Sequence, residues 1–154
     1  MSDSPELLEL EASYGPASKP PPAHWHPSHD ERFTVLEGEM RVRLAGKERS
    51  LHEGEVLEIP RGTAHAMWNP TERRARTRWE NRPAGRVREW FEQLDALNRA
   101  GKVDERGIPS VPVLAALLTE YRDVFRLAAG ADIVVRTALA TLAPLGRGTL
   151  KSVR

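Results

Sequence analysis

Through the first half of the chain, apolar and polar residues alternate with a period of two, and the pattern predicts eight short strands. These cover 7–12, 23–26, 32–36, 40–44, 48–51, 56–59, 65–68 and 75–81, with Gly38, Gly54, Pro60 and Gly62 among the residues that punctuate them. Many short strands with glycine and proline corners argue for a barrel or jelly roll. The alternation also assigns faces: in 40–44 Met40 and Val42 look inward while Arg41 and Arg43 face solvent, and in 76–80 the inward pair is Thr77 and Trp79.

The texture changes once, at Arg82-Pro83-Ala84-Gly85, which divides the chain into a strand-rich part, 1–84, and a helical extension, 85–154. Val87, Trp90, Phe91, Leu94 and Leu97 have the spacing of an amphipathic helix that Gly101 stops. A linker at 101–112 precedes a second helix over 113–129. A last helix is expected over 132–142, with Asp132 as N-cap and Pro144 limiting its end. Such helices need a partner surface: packing on the barrel or a dimer interface is the expectation, and a lid over the barrel mouth is the sharper alternative.

The chemistry-bearing residues lie in the strand-rich part. In His24-Trp25-His26 the two histidines point to one face of a strand and Trp25 to the other, and Glu31 and His65 arriving from neighbouring strands could close a metal site. Isolated strand histidines more often pack or sit at the surface, so the weight rests on their arrangement. His29 reads as a solvated turn residue, with a substitute ligand or proton shuttle as the alternatives, and His52 as a surface turn residue.

Composition narrows the partners. The chain has 154 residues, 40% hydrophobic and 29% charged, which is ordinary for one globular domain. A net charge of +1 argues against a dedicated nucleic-acid partner, and no helix-turn-helix signature precedes the strands. Seven arginines between Arg73 and Arg88 interleave with Glu72, Glu80 and Glu89, which reads as a solvated face laced with ion pairs. With no cysteine, a metal must be held by imidazole and carboxylate. The apolar stretch at 133–145 is too short to cross a bilayer and contains Arg136, and the acidic N-terminus does not read as a signal peptide; a cytoplasmic protein is the expectation.

The spacing of these residues resembles a known family. His24-x-His26, four residues, Glu31, six residues, Gly38 is similar to the first signature motif of the cupin superfamily, and Gly54, five residues, Pro60-x-Gly62, two residues, His65, three residues, Asn69 to the second. The glycine that usually stands six residues before the first histidine is Ser18 here. The resemblance extends from Pro20 to Gly146 and is closest to small single-barrel cupins with a helical tail. It implies a mainly β, double-stranded β-helix fold (an RmlC-like jelly-roll barrel) with C-terminal α-helices. It also implies a divalent metal held by His24, His26, Glu31 and His65, and a homodimer. Because this N-terminus is short, exchange of the strand at 7–12 with a second subunit is a further expectation.

Three imidazoles and one carboxylate suit Fe, Mn, Ni, Zn, Co or Cu, and leave two octahedral positions for a bidentate substrate or for substrate and dioxygen. Phe33, Met40, Met67 and Trp79 would make the pocket apolar and bind substrate, and Glu31 could also act as a base. The expected function is a metal-dependent enzyme, dioxygenase-like, on a small, partly apolar organic substrate. A non-oxidative isomerase, lyase or cyclase, and a non-catalytic small-molecule-binding barrel, are the alternatives.

Overall fold

A computed structural model of the chain describes residues 3–104, 107–128 and 132–153. Its elements are β1 (Asp3–Ser4), β2 (Leu7–Tyr14), β3 (His24–Trp25), β4 (Asp30–Glu37), β5 (Glu39–Leu44), β6 (Lys47–His52), β7 (Val56–Ile59), β8 (His65–Trp68), β9 (Ala75–Arg82), α1 (Val87–Arg99), α2 (Val111–Glu120), β10 (Arg126–Leu127) and α3 (Asp132–Ser152). The strands form two five-stranded antiparallel sheets, ordered β1-β2-β9-β4-β7 and β10-β3-β8-β5-β6. From β2 to β9 the chain changes sheet at every connection except the β5–β6 hairpin, which is the jelly roll that the alternation predicts.

Alternation fills the space between the sheets. Phe33, Val35, Leu57, Ile59 and Ala75 meet Met40, Val42, Leu51 and Met67 in one apolar cluster, with Trp79 and Tyr14 half-buried against it. Gly38, at the β4–β5 corner, has φ +79°, and a Cβ there would lie 2.9 Å from the Arg74 carbonyl oxygen, so only glycine fits without displacement.

Asn69 is fully buried and ties the loops at one end of the barrel. Its Nδ2 donates to the carbonyls of Gly15 (3.0 Å) and Arg73 (2.6 Å), and its Oδ1 accepts from the Thr71 backbone N–H (2.9 Å) and hydroxyl (2.8 Å). Ser18, the departure from the usual glycine, joins this knot: its Oγ accepts the Asn69 backbone N–H at 2.8 Å. The side chain that replaces hydrogen is therefore used.

A second cluster holds the helical layer. Val87, Trp90 and Leu97 of α1, Val113 and Leu117 of α2, and Ala143 and Leu150 of α3 pack together with Leu8 of β2, so barrel and helices share apolar surface. Gly146 of α3 lies so close to the Pro112 carbonyl that a Cβ would overlap it. Among the described residues no helix is long and apolar enough to cross a membrane.

Two expectations need correction. The second helix does not run over 113–129: α2 ends at Glu120, a turn follows, and Arg126–Leu127 pairs with β3. The apolar residues Tyr121, Val124 and Phe125 keep helical spacing but serve a turn, whose bonds run from the N–H groups of Val124 and Phe125 to the Tyr121 carbonyl. Nor does Pro144 end the last helix, which continues to Ser152. Contact of Ala143, Gly146 and Leu150 with the helical layer outweighs the missing N–H. The side chain of Asp132, the expected cap, lies outside the described residues. Leu8 to Tyr14 of β2 pair with Asn81 to Ala75 of β9 in the same chain.

The arginine-rich stretch is laced with ion pairs, including Arg76–Glu11 (2.7 Å), Arg82–Glu80 (2.7 Å) and Arg86–Asp123 (3.2 Å). Asn69→Ala should lower the stability to urea by about 3 kcal/mol, because buried carbonyls lose their donor. His52→Ala, at the exposed end of β6, should stay within about 0.5 kcal/mol; equal losses in both variants would contradict the knot.

Candidate metal centre

β3, β4 and β8 bring the motif residues together. His24 is the register partner of His65, and Glu31 lies on β4 between Ile59 and Asn81. Donor atoms of His24, His26 and His65 lie within 4.8 Å of one another, as do those of His26, His29 and Glu31. Glu31 Oε1 is 3.3 Å from His26 Nε2, and its Oε2 is 3.0 Å from His65 Nε2. This is a histidine and glutamate cluster able to hold a metal ion.

Backbone carbonyls fix the imidazoles. Nδ1 of His24 lies 3.0 Å from the Pro22 oxygen, Nδ1 of His26 2.7 Å from the Val124 oxygen, and Nδ1 of His65 3.0 Å from the Thr63 oxygen. A carbonyl oxygen can only accept, so each Nδ1 carries the proton and donates. In a neutral ring Nε2 then presents its lone pair. Buried atoms without a hydrogen-bond partner include His26 Nε2 and His29 Nε2. Unpaired acceptors gathered in one buried place are what a cation would satisfy, and nitrogen and oxygen donors suit a divalent ion. The residues fit a metal.

Around this cluster the helical tail acts as a cover. Phe125 stacks on His24 (centroids 4.7 Å apart, 18° between planes), and Trp90 stacks on Phe125 in turn (5.2 Å, 9°). β10 holds the strap to β3, and the Ala128 N–H donates to the Ala23 carbonyl at 2.8 Å. The helices pack on the barrel at Leu8, while the segment 121–128 that follows α2 forms a strap over His24. Two open clefts, of about 510 and 730 Å³, lie on the helical layer among residues such as Arg122, Arg147 and Arg99, away from the histidines.

Phe33, Met40 and Met67 are buried in the barrel core. Trp79 touches the cluster itself: its Nε1 donates to Glu31 Oε1 at 3.0 Å while its ring stacks on Phe33 (5.3 Å, 21°) and meets Phe91 edge-on (5.2 Å, 84°). Trp25 turns away, as alternation requires, with the Arg126 guanidinium 5.2 Å above its ring. His29 is not a solvated turn residue; it is 1% exposed with its ring 4.5 Å from that of His26. The signal was present in the sequence, because His29 continues the inward parity of Glu31 and Phe33. The roles of Val124 and Phe125 in covering and orienting the site had no such signal, since their spacing reads as helix.

Residues 11–79 match the family model of the cupin domain and fold as the two-sheet jelly roll, so this part of the chain is a cupin domain. An uncharacterized protein of Aquifex aeolicus (strain VF5) is 41% identical over 49 residues, 32% of this chain and 40% of that protein. The uncharacterized protein YdbB of Bacillus subtilis (strain 168) is 46% identical over 43 residues, 27% of this chain and 38% of that protein. The chain thus spans about two fifths of the length of the curated relatives it matches. Among solved structures, TT1209 from Thermus thermophilus is similar with a TM-score of 0.49 and 26% identity, over 53% of this chain and 77% of that one.

Burial holds His24, His26 and His29 each at about 4, below the usual 6.5 of an imidazole; for His24 the neighbouring His65 adds to the effect. Burial also pulls on His65, but the hydrogen bond and charge of Glu31, with the Thr63 carbonyl, outweigh it and hold His65 above 6.5. Between about pH 6.5 and 4 the unfolded chain therefore binds more protons at the three depressed histidines than the folded chain does. The contribution of His65 is already complete below 6.5 and does not offset this. Metal-stripped protein should lose stability as pH falls through that window, measured as a falling urea midpoint; a flat or rising midpoint would contradict the burial of neutral imidazoles.

Trp79→Phe removes the indole donor from Glu31 while keeping an aromatic ring. Affinity for Zn(II) should fall roughly 10-fold or more in a competition titration, as it does when a ligand's supporting hydrogen bond is lost. Unchanged affinity would show that Glu31 needs no such support.

Proposed function

We propose that this chain is a metal-dependent enzyme acting on a small, partly apolar organic substrate, with oxygen-dependent, dioxygenase-like cleavage as the leading reaction class. The observation that carries the reading is the set of three Nδ1-to-carbonyl hydrogen bonds, which orients the Nε2 atoms of His24, His26 and His65 as donors beside Glu31. When bound there, a divalent ion supplies Lewis acidity towards a substrate oxygen.

The chain's own residues supply the rest. Glu31 has Oε1 held by Trp79, while Oε2 faces His65 Nε2 at 3.0 Å, and Oε2 is the atom to take a proton from substrate. Phe33, Met40, Met67 and Trp79 give an apolar wall on the inward face that Glu31 shares, which favours a hydrophobic or aromatic part of the ligand. Phe125, backed by Trp90, excludes water from the His24 side. Substrate must displace the 121–128 strap or pass beneath it to reach the donors.

One observation favours the non-oxidative reading as second choice. Asn81 is fully buried, is the register partner of Glu31, and has neither Nδ2 nor Oδ1 paired. An amide with a free donor and a free acceptor beside a carboxylate suits a substrate that carries both hydroxyl and carbonyl groups, as in isomerisation through a proton shift. The expected homodimer belongs to the same proposal; exposed Val111 and Leu145, at 64% and 71%, leave apolar surface for it.

Protein purified without chelator or nickel resin should carry near-stoichiometric metal by elemental analysis, and His24→Ala and His65→Ala should lose it. The loaded protein should then consume oxygen with an aromatic diol or a β-diketone. Isomerised product without oxygen uptake would move the assignment to the second reading. Ligand-induced thermal stabilisation without turnover would leave only a binding barrel.

A further inference from the structure

His29 is unexplained by the four-residue site. It is 1% exposed, and its Nε2 is buried without a hydrogen-bond partner. Leaving such an atom unpaired is unfavourable, so a partner is expected there. The burial is enforced by its neighbours. The carboxylate of Asp30, next in the chain, is clamped outward by Arg61, taking its backbone N–H at 2.8 Å and its guanidinium at 2.8 and 3.0 Å. The Gly62 N–H donates to the His26 carbonyl at 2.9 Å, which fixes the other end of the loop. Strand parity then turns His29 to the side of Glu31 and Phe33. At that place its donor atom, one of His26 and one of Glu31 all lie within 4.8 Å of one another.

We propose that His29 is a fourth histidine ligand of the metal centre, binding through Nε2 beside His26 and Glu31. The proposal rests on the metal reading above and extends it. The two donor triads share His26, and Glu31 Oε2 lies 3.0 Å from His65 Nε2, so the second triad adjoins the first. Ser28 Oγ lies 3.4 Å from His29 Nδ1 and can accept its proton, which leaves the Nε2 lone pair for the ion. With all five donors drawn onto one ion, a single octahedral position would stay open, and the substrate would bind through one oxygen and not as a chelate.

The test uses the full chain, stripped of metal and titrated with Co(II) alone. His29→Ala should weaken Co(II) binding roughly 10-fold or more, and the bound cobalt should absorb more strongly in the visible as its coordination number falls. His29→Phe, which keeps a ring in the same space, should behave alike, and His52→Ala should match the parent. In the parent protein the imidazole nitrogen resonances of four histidines, not three, should shift on adding Zn(II), which needs no variant to fold. Binding within about twofold of the parent in both His29 variants, with an unchanged spectrum and only three shifted rings, would overturn the proposal. If His24→Ala then still loses Co(II), the metal reading stands without His29. If His24→Ala also binds like the parent, the metal reading itself falls, and His29 with it.

Discussion

The hydrogen bond from His26 Nδ1 to the Val124 carbonyl, at 2.7 Å, joins the two parts of this molecule at the place where the chemistry is gathered. Such a bond contributes only about 0.5–1.5 kcal/mol net to stability, but its effect on geometry is larger than its energy. It sets the tautomer of His26, and so the direction of its Nε2 lone pair. The same contact seats residues 124 and 125 over the barrel, where Phe125 stacks between Trp90 and His24. Displacing the strap therefore changes both access to the site and the support of one of its donors.

Glu31 is the second point of convergence. Its carboxylate is nearly inaccessible and faces His26, His65 and the Trp79 indole. A buried carboxylate in an apolar barrel is costly unless charge or hydrogen bonds compensate it, and here both are present. Phe33 and Phe91, packed on the Trp79 ring, hold the indole in position. The apolar core thus acts on the site through one side chain that is half core and half hydrogen-bond donor.

Much of the barrel was legible because its signals are local. Alternation placed Met40, Val42 and Thr77 inward and found the strands to within a few residues, and Gly38 marked a corner that only a positive φ can turn. The histidine motifs were legible for the same reason, since register carries His24 to His65. The tail was harder. A turn followed by a short strand keeps the same apolar spacing as a helix, so Tyr121, Val124 and Phe125 gave no warning that the chain would reverse onto β3. Pro144 misled because packing against α2 overrides a local breaker. His29 was hidden by its polar neighbours Ser28 and Asp30, whose turn-like composition masked an inward parity.

The central claim is that the carbonyl-oriented imidazoles and Glu31 form one metal centre beneath the strap. Anomalous X-ray diffraction at the cobalt edge, from crystals of the cobalt-loaded protein, tests it most directly. The account predicts a single strong peak within bonding distance of Nε2 of His24, His26 and His65 and of a Glu31 oxygen, with each Nδ1 still donating to its carbonyl. A cobalt peak elsewhere, or one reached only through Nδ1 atoms of flipped rings, would contradict it.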